Sequence, residues 1–138
     1  MGAVAMTVLM KPLHALAAEW NKIGFDAKTL PEALKGAGAQ NAVESKDIVI
    51  KAPDIAENSA VVPVEVHCRI AGAQMISLFA DNNPQPLIAQ FVIGEGVEPY
   101  ISTRIKMGDT GNIRVVVLAS GKNYTATKEV KVTIGGCG

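Results

Sequence analysis

The sequence predicts an all-β protein: an immunoglobulin-like β-sandwich of about seven strands, with a short N-terminal helical segment and a flexible C-terminal arm. Three observations point there. From Asp47 onward, apolar runs of strand length recur, separated by turn material such as Asn58-Ser59, Ala71-Gly72, Asn82-Asn83-Pro84, Gly94-Glu95-Gly96, Gly108-Asp109-Thr110-Gly111 and Gly121-Lys122-Asn123. Two of the runs alternate with a period of two. Val62, Val64, Val66, Cys68 and Ile70 share one face, and Pro63, Glu65, His67 and Arg69 the other; Val130, Val132 and Ile134 are set against Glu129, Lys131 and Thr133 in the same way. The chain is 49% apolar but only 4% aromatic, so its core falls to Val, Ile, Leu and Ala.

Residues 1–18, MGAVAMTVLMKPLHALAA, differ from the rest. They carry one charge, Lys11, and end in Ala15-Leu16-Ala17-Ala18, the small-x-small pattern of an export cleavage site. They are read as an export-signal remnant, the alternative being a short buried N-terminal helix. The folded domain is then 19–134 and the arm 135–138. Trp20, Ile23 and Phe25 suggest a first helical turn, weakened by Gly24. Thr29-Leu30-Pro31-Glu32 has the capping-box pattern, with Pro early and Glu three residues after the cap, and Gly36-Ala37-Gly38 ends that helix.

The expected strands are 48–51, 61–70, 74–80, 87–93, 100–106, 112–120 and 124–134. Segment 87–93 is apolar on both faces, through Leu87, Ile88, Phe91, Val92 and Ile93. Such a strand belongs either in the centre of the sandwich, the reading favoured here, or under a partner subunit.

Composition removes several function classes. Thirteen Lys+Arg balance thirteen Asp+Glu, so nothing marks a nucleic-acid or membrane-surface binder. No apolar stretch past residue 18 reaches the ~20 residues that cross a bilayer. Two histidines and two cysteines are thin material for a metal site or a nucleophile-and-base triad. His14 belongs to the leader and His67 to a solvent-facing strand position, and both read as incidental. Gly94-Glu95-Gly96 lacks the third glycine and following helix of a phosphate loop, so it reads as a strand connection.

The most informative segment is Lys131-Val132-Thr133-Ile134-Gly135-Gly136-Cys137-Gly138. A half-buried strand runs into four residues that cannot continue it, and the one side chain among those four is a thiol. Two glycines loosen the backbone, and four extended residues reach roughly 13 Å. The thiol of Cys137 can thus be offered to another protein's active site. Two other readings stand beside this one: a Cys68–Cys137 disulfide and an incidental tail. Cys68 shares the core face of its strand with Val64 and Val66, which suits a small buried apolar residue. Prenylation requires a cysteine fourth from the end, and Gly135-Gly136 is covered by Cys137-Gly138, unlike an activated Gly-Gly carboxylate. The neighbouring carboxylate of Gly138 opposes thiolate formation and no adjacent cation favours it, so activation is expected from a partner's active site.

The ending 130–138, together with Asp47-Ile48-Val49-Ile50-Lys51-Ala52-Pro53-Asp54-Ile55-Ala56-Glu57-Asn58 and Gly94-Glu95-Gly96-Val97-Glu98-Pro99-Tyr100-Ile101, resembles the SoxY family. SoxY is the sulfur-carrier subunit of the bacterial Sox thiosulfate-oxidising system. The resemblance implies a carrier rather than an enzyme, with sulfur intermediates attached at Cys137 and Gly135, Gly136 and Gly138 as its flexible arm. A haem-containing SoxXA-like partner would join thiosulfate to the thiol oxidatively, giving a cysteine S-thiosulfonate. A SoxB-like hydrolase would release sulfate, and a SoxCD-like sulfur dehydrogenase would oxidise the remaining sulfane sulfur. The resemblance further implies a heterodimer with a SoxZ-like subunit, no resident cofactor, and a periplasmic location; residues 1–18 contain no arginine, so export by a twin-arginine route rests on the resemblance alone. It hints besides that Gly94-Glu95-Gly96 serves subunit packing or arm docking. The alternative is an immunoglobulin-like binding module whose C-terminal cysteine dimerises or anchors it. A thiol-disulfide oxidoreductase acting alone is disfavoured by the lack of a Cys-x-x-Cys pair.

Overall fold

The computed structural model describes residues 20–133. The leader, and the arm with Ile134 and Cys137, lie outside the described residues. Two short helices come first. Helix α1, Lys22–Asp26, is capped by Asn21, whose side chain accepts from the Gly24 N–H at 3.0 Å. Helix α2, Leu30–Gly36, starts as its sequence predicts, with the Thr29 hydroxyl accepting from the Glu32 N–H. It ends where Gly38 turns left-handed at φ 68°, a conformation glycine adopts without steric cost. Gly24 does more than weaken α1. A Cβ on Gly36 would stand 2.6 Å from the Gly24 Cα, so the two glycines let the helices touch backbone to backbone.

Among the described residues nine strands follow: β1 (Val43–Glu44), β2 (Ile48–Lys51), β3 (Ile55–Ala56), β4 (Val62–Cys68), β5 (Ala73–Ala80), β6 (Leu87–Val92), β7 (Tyr100–Ile105), β8 (Gly111–Ala119) and β9 (Lys122–Val132). Seven are the expected ones, with ends shifted by at most two residues: β5, β8 and β9 begin earlier than expected and the others are equal or shorter. The other two, β1 and β3, are two-residue strands that pair in parallel with β9. Two residues hold no alternation to detect.

The larger sheet runs β1-β9-β8-β5-β6, with β3 also on β9, and the smaller runs β2-β4-β7. Between them lies the main core: Val62, Val64, Val66 and Cys68 of β4 face Ile76 and Leu78 of β5, Ile113, Val115 and Val117 of β8, and Val130 of β9. These positions follow from the period of two, which sends alternate side chains to opposite faces. A second, smaller core covers the other face of the larger sheet, where Phe79, Leu87 and Val116 pack against Ala27, Ala33 and Ala39 of the helical segment.

That second core corrects the expectation for 87–93. Strand β6 is not central; it is the edge of the larger sheet. Its two faces are apolar because Ile88, Ala89 and Phe91 pack on the main core while Leu87 packs under the helices. Gln90, on the helix side, receives a hydrogen bond from Asn21 at 3.0 Å and donates to Ser77 at 3.0 Å and to the Ala37 carbonyl at 3.2 Å, so one amide ties helix, edge strand and neighbouring strand together. Val92 projects past this cover and is 63% exposed. No helix among the described residues is long and apolar enough to cross a membrane.

Candidate functional site

The strand that leads to Cys137 is fixed on both sides at its end. Val130 is fully buried and forms the terminal backbone pair with β8, opposite Gly111. Beyond it a side chain replaces the ladder. The Val132 N–H donates to the Thr110 hydroxyl at 2.8 Å, and that hydroxyl points back at the Val132 carbonyl at 3.4 Å. On the opposite edge, Lys131 and Val132 pair with Ile55 and Ala56 of β3. The Lys131 N–H donates to the Asp54 carbonyl at 2.9 Å, and the Thr133 N–H reaches the Ala56 carbonyl at 3.4 Å. An ion pair braces the same corner, Lys128 Nζ to Asp54 Oδ1 at 2.7 Å. The hydrogen bond and charge of Lys128 hold the Asp54 carboxyl below the usual carboxylate range.

The Thr110 loop is itself pinned. Asn82 Nδ2 donates to the Thr110 carbonyl at 2.7 Å, and Asn83 Nδ2 to the Lys106 carbonyl at 2.8 Å, while Asn83 Oδ1 accepts from the Gly108 N–H at 2.8 Å. Gly111 is small for a reason: a Cβ there would stand 2.6 Å from Asn82 Nδ2. Met107, fully buried, donates its N–H to the Ser59 carbonyl at 2.8 Å and joins a second loop to the same platform. The sequence marks Asn82-Asn83-Pro84 and Gly108-Asp109-Thr110-Gly111 only as turns. Their work in holding the end of β9 depends on contacts 23 to 28 residues apart, which a local pattern does not register.

The other thiol lies elsewhere. Cys68 closes β4, a strand of seven residues, at the end opposite Val62, about 20 Å away at the strand rise. Val62 sits at the same end as the root, since its neighbour loop bonds Met107 and its partner is Ile105. Cys68 is free and 8% exposed, on the core face where the alternation places it. Burial pushes its thiol above the ordinary range, reinforced by the nearby Asp47 charge and opposed by a backbone hydrogen bond at Ile70.

The remaining residues of interest are accounted for more simply. His67 lies on the outer face of the smaller sheet, half-buried, its ring 4.6 Å from that of Tyr100. The Tyr100 hydroxyl donates to Glu65 at 2.9 Å, which holds that phenol above its usual range. His14 lies outside the described residues. Gly94-Glu95-Gly96 is the connection between β6 and β7, with Gly96 at φ 77°. It lines a cleft beside Cys68, Arg69 and Ser120, at the end away from the root. Among the described residues no three His, Cys, Asp or Glu side chains come together as a metal site.

Comparison with known proteins agrees with this architecture. The family model for SoxY, described as sulfur oxidation protein SoxY, matches residues 34–137, from within α2 through Cys137. Among solved structures, the chain is similar to the sulfur carrier protein SoxY from Chlorobium limicola f thiosulfatophilum. The two are 44% identical, with 75% of this chain and 96% of that one covered at a TM-score of 0.66. No curated protein matches. A two-sheet β fold whose last strand is anchored to its final described residue, matched through the cysteine that follows, places the chain in the SoxY family of sulfur oxidation proteins.

Proposed function

We propose that this chain is a covalent carrier of sulfur intermediates in thiosulfate oxidation, holding them on the Cys137 thiol at the end of the 135–138 arm. The observation that carries the reading is the contrast at the end of β9. Every backbone N–H from Lys131 to Thr133 has a partner, and the next residues but one are Gly135-Gly136-Cys137-Gly138. A firm root followed at once by a glycine-flanked thiol suits a group that must enter several active sites in turn.

The chemistry balances as follows. The thiol and thiosulfate form an S–S bond, releasing a proton and passing two electrons to a haem-containing partner. Water then cleaves the sulfane–sulfonate bond, giving sulfate and leaving a persulfide on Cys137. A sulfur dehydrogenase takes six electrons from that sulfane sulfur, three waters supplying the oxygens and six protons leaving, to give an S-sulfonate, and hydrolysis releases a second sulfate and restores the thiol. The chain itself supplies the attachment point and no catalytic group, and needs no cofactor. The partners are a SoxZ-like subunit and SoxXA-, SoxB- and SoxCD-like enzymes, in the periplasm.

The test is the intact mass of the protein purified from sulfur-oxidising cells, before and after mild reductant, with peptide mapping. Reductant-labile sulfur and sulfonate additions on the peptide 132–138 are expected. An unmodified thiol there, or a Cys68–Cys137 bridge, would return the chain to a binding module whose cysteine dimerises or anchors it. Cys137→Ser should abolish thiosulfate-dependent electron transfer; a change in oligomeric state alone would contradict the proposal.

A further inference from the structure

Resting on the carrier reading, we infer that the outer face of the smaller sheet holds the anionic end of the loaded arm, through Lys51 and Arg104. This face has no second layer over it among the described residues. A hollow there is lined by Lys51, Pro53, Pro63, Glu65, Ser102 and Arg104. The register explains its shape. Lys51 stands opposite Glu65, Glu65 opposite Ser102, and Pro63 opposite Arg104. Lys51 and Ser102 are therefore two strand spacings apart, about 10 Å, with the flat ring of Pro63 on the floor.

Charge fits an anion. Among the described residues neither Lys51 nor Arg104 forms an ion pair; the pairs present are Lys22–Asp26, Arg114–Asp81 and Lys128–Asp54. The carboxylates on this route are already engaged. Glu65 accepts from the Tyr100 hydroxyl, one row further from the root, and Asp54 is bound to Lys128. The hollow thus sets two positive groups and the Ser102 hydroxyl against one carboxylate, that of Glu65, which lines it as well and accepts from the Tyr100 hydroxyl.

The occupant is residues 134–138 of this chain with their cargo. Lys51 leads through Pro53 and Asp54 directly to β3, which pairs with Lys131 and Val132, so the hollow and the root share one end of the sandwich. The sheets of a sandwich stand about 10 Å apart. Four extended residues beyond Thr133 reach about 13 Å, and a thiosulfonate on the Cys137 sulfur extends that further. A bare thiol is neutral near neutral pH, whereas the S-thiosulfonate and S-sulfonate carry a negative charge. The face therefore distinguishes a loaded arm from an empty one.

The test loads the protein with tetrathionate. The Cys137 thiolate attacks a sulfane sulfur, a Cys S–S bond forms as the central S–S bond breaks, and thiosulfate leaves. Intact mass and peptide mapping establish that the single adduct is on Cys137. Amide ¹⁵N–¹H spectra are then compared with those of the free thiol and of a neutral methylthio adduct. Shifts at Lys51, Ser102 and Arg104 are expected for the thiosulfonate alone, and they should vanish in Lys51→Gln/Arg104→Gln. That variant changes two exposed side chains and is checked for an unchanged spectrum elsewhere. Its adduct should also react with added glutathione about fivefold faster, two exposed charge contacts being individually modest. Equal glutathione rates, or identical shifts with the neutral adduct, would overturn the inference. The mass of protein taken from sulfur-oxidising cells decides the carrier reading separately, so the two can fail independently.

Discussion

Replacing Thr110 by Val tests how the root of the arm is held. The side chains are nearly isosteric, so the change removes a hydroxyl that accepts from the Val132 N–H at 2.8 Å and little else. Val132 is half-buried, so water replaces the lost acceptor in part. A net loss of about 1 kcal/mol is expected, between the value of an ordinary hydrogen bond and that of a fully buried unsatisfied donor. Hydrogen exchange reads this locally. About 1 kcal/mol corresponds to roughly fivefold faster opening at the Val132 amide. The Lys131 amide is the internal control, because its acceptor is the Asp54 carbonyl on the other edge. Thr110→Ser keeps the hydroxyl and should retain protection. If Thr110→Val left Val132 exchange unchanged, or accelerated Lys131 equally, the hydroxyl would not be the clamp and the reasoning would fail.

Three further outcomes follow from the geometry. Gly36→Ala places a Cβ 2.6 Å from the Gly24 Cα and should cost about 1–3 kcal/mol by overpacking, whereas Gly38→Ala meets nothing within 4 Å and bears only the left-handed cost of about 1–2 kcal/mol; thermal unfolding that ranked them the other way would contradict the helix contact. Iodoacetamide at mildly alkaline pH should modify Cys137 and spare Cys68, whose thiol is buried and raised; peptide mapping that found native Cys68 alkylated at a comparable rate would refute its placement. Asp54 should titrate below the ordinary carboxylate range and return to it in Lys128→Met. Because its folded-state pKa is depressed, its small, salt-screened contribution is present above about pH 4 and is lost as pH falls through the folded value. A Lys128→Met protein with an unshifted Asp54 titration would show that the ion pair does not form in solution.

Much of the fold was legible in the sequence because β4 and β9 each bury one face, and a period of two survives wherever that holds. Thr29 and Glu32 marked the start of α2 for a similarly local reason. Segment 87–93 misled because two-sided apolarity has two causes. A strand can be central, or it can be an edge covered by helices, and the residues that decide it, Ala27, Ala33 and Ala39, lie some 50 residues or more earlier. Gly24 read as a weakness because its partner Gly36 is on another helix. The same limit applies at the root of the arm. The cysteine and glycines announce themselves as a string, while Thr110, Asn82 and Asn83 acquire their roles from turns brought together by the finished sandwich.

The placement of Cys68 has a consequence for the lifetime of the cargo. A sulfur atom bound to a cysteine is commonly lost when a neighbouring sulfhydryl attacks and closes a disulfide. Here the second sulfhydryl faces the core, about 20 Å along β4 from the end at which the arm begins, beyond the roughly 13 Å that four residues can span. On the carrier reading, a loaded arm would therefore not be discharged by Cys68 of its own chain. On that reading release would need a reagent from outside the chain, a receiving enzyme or a free thiol, and the fold could change only how readily such a reagent reaches the arm.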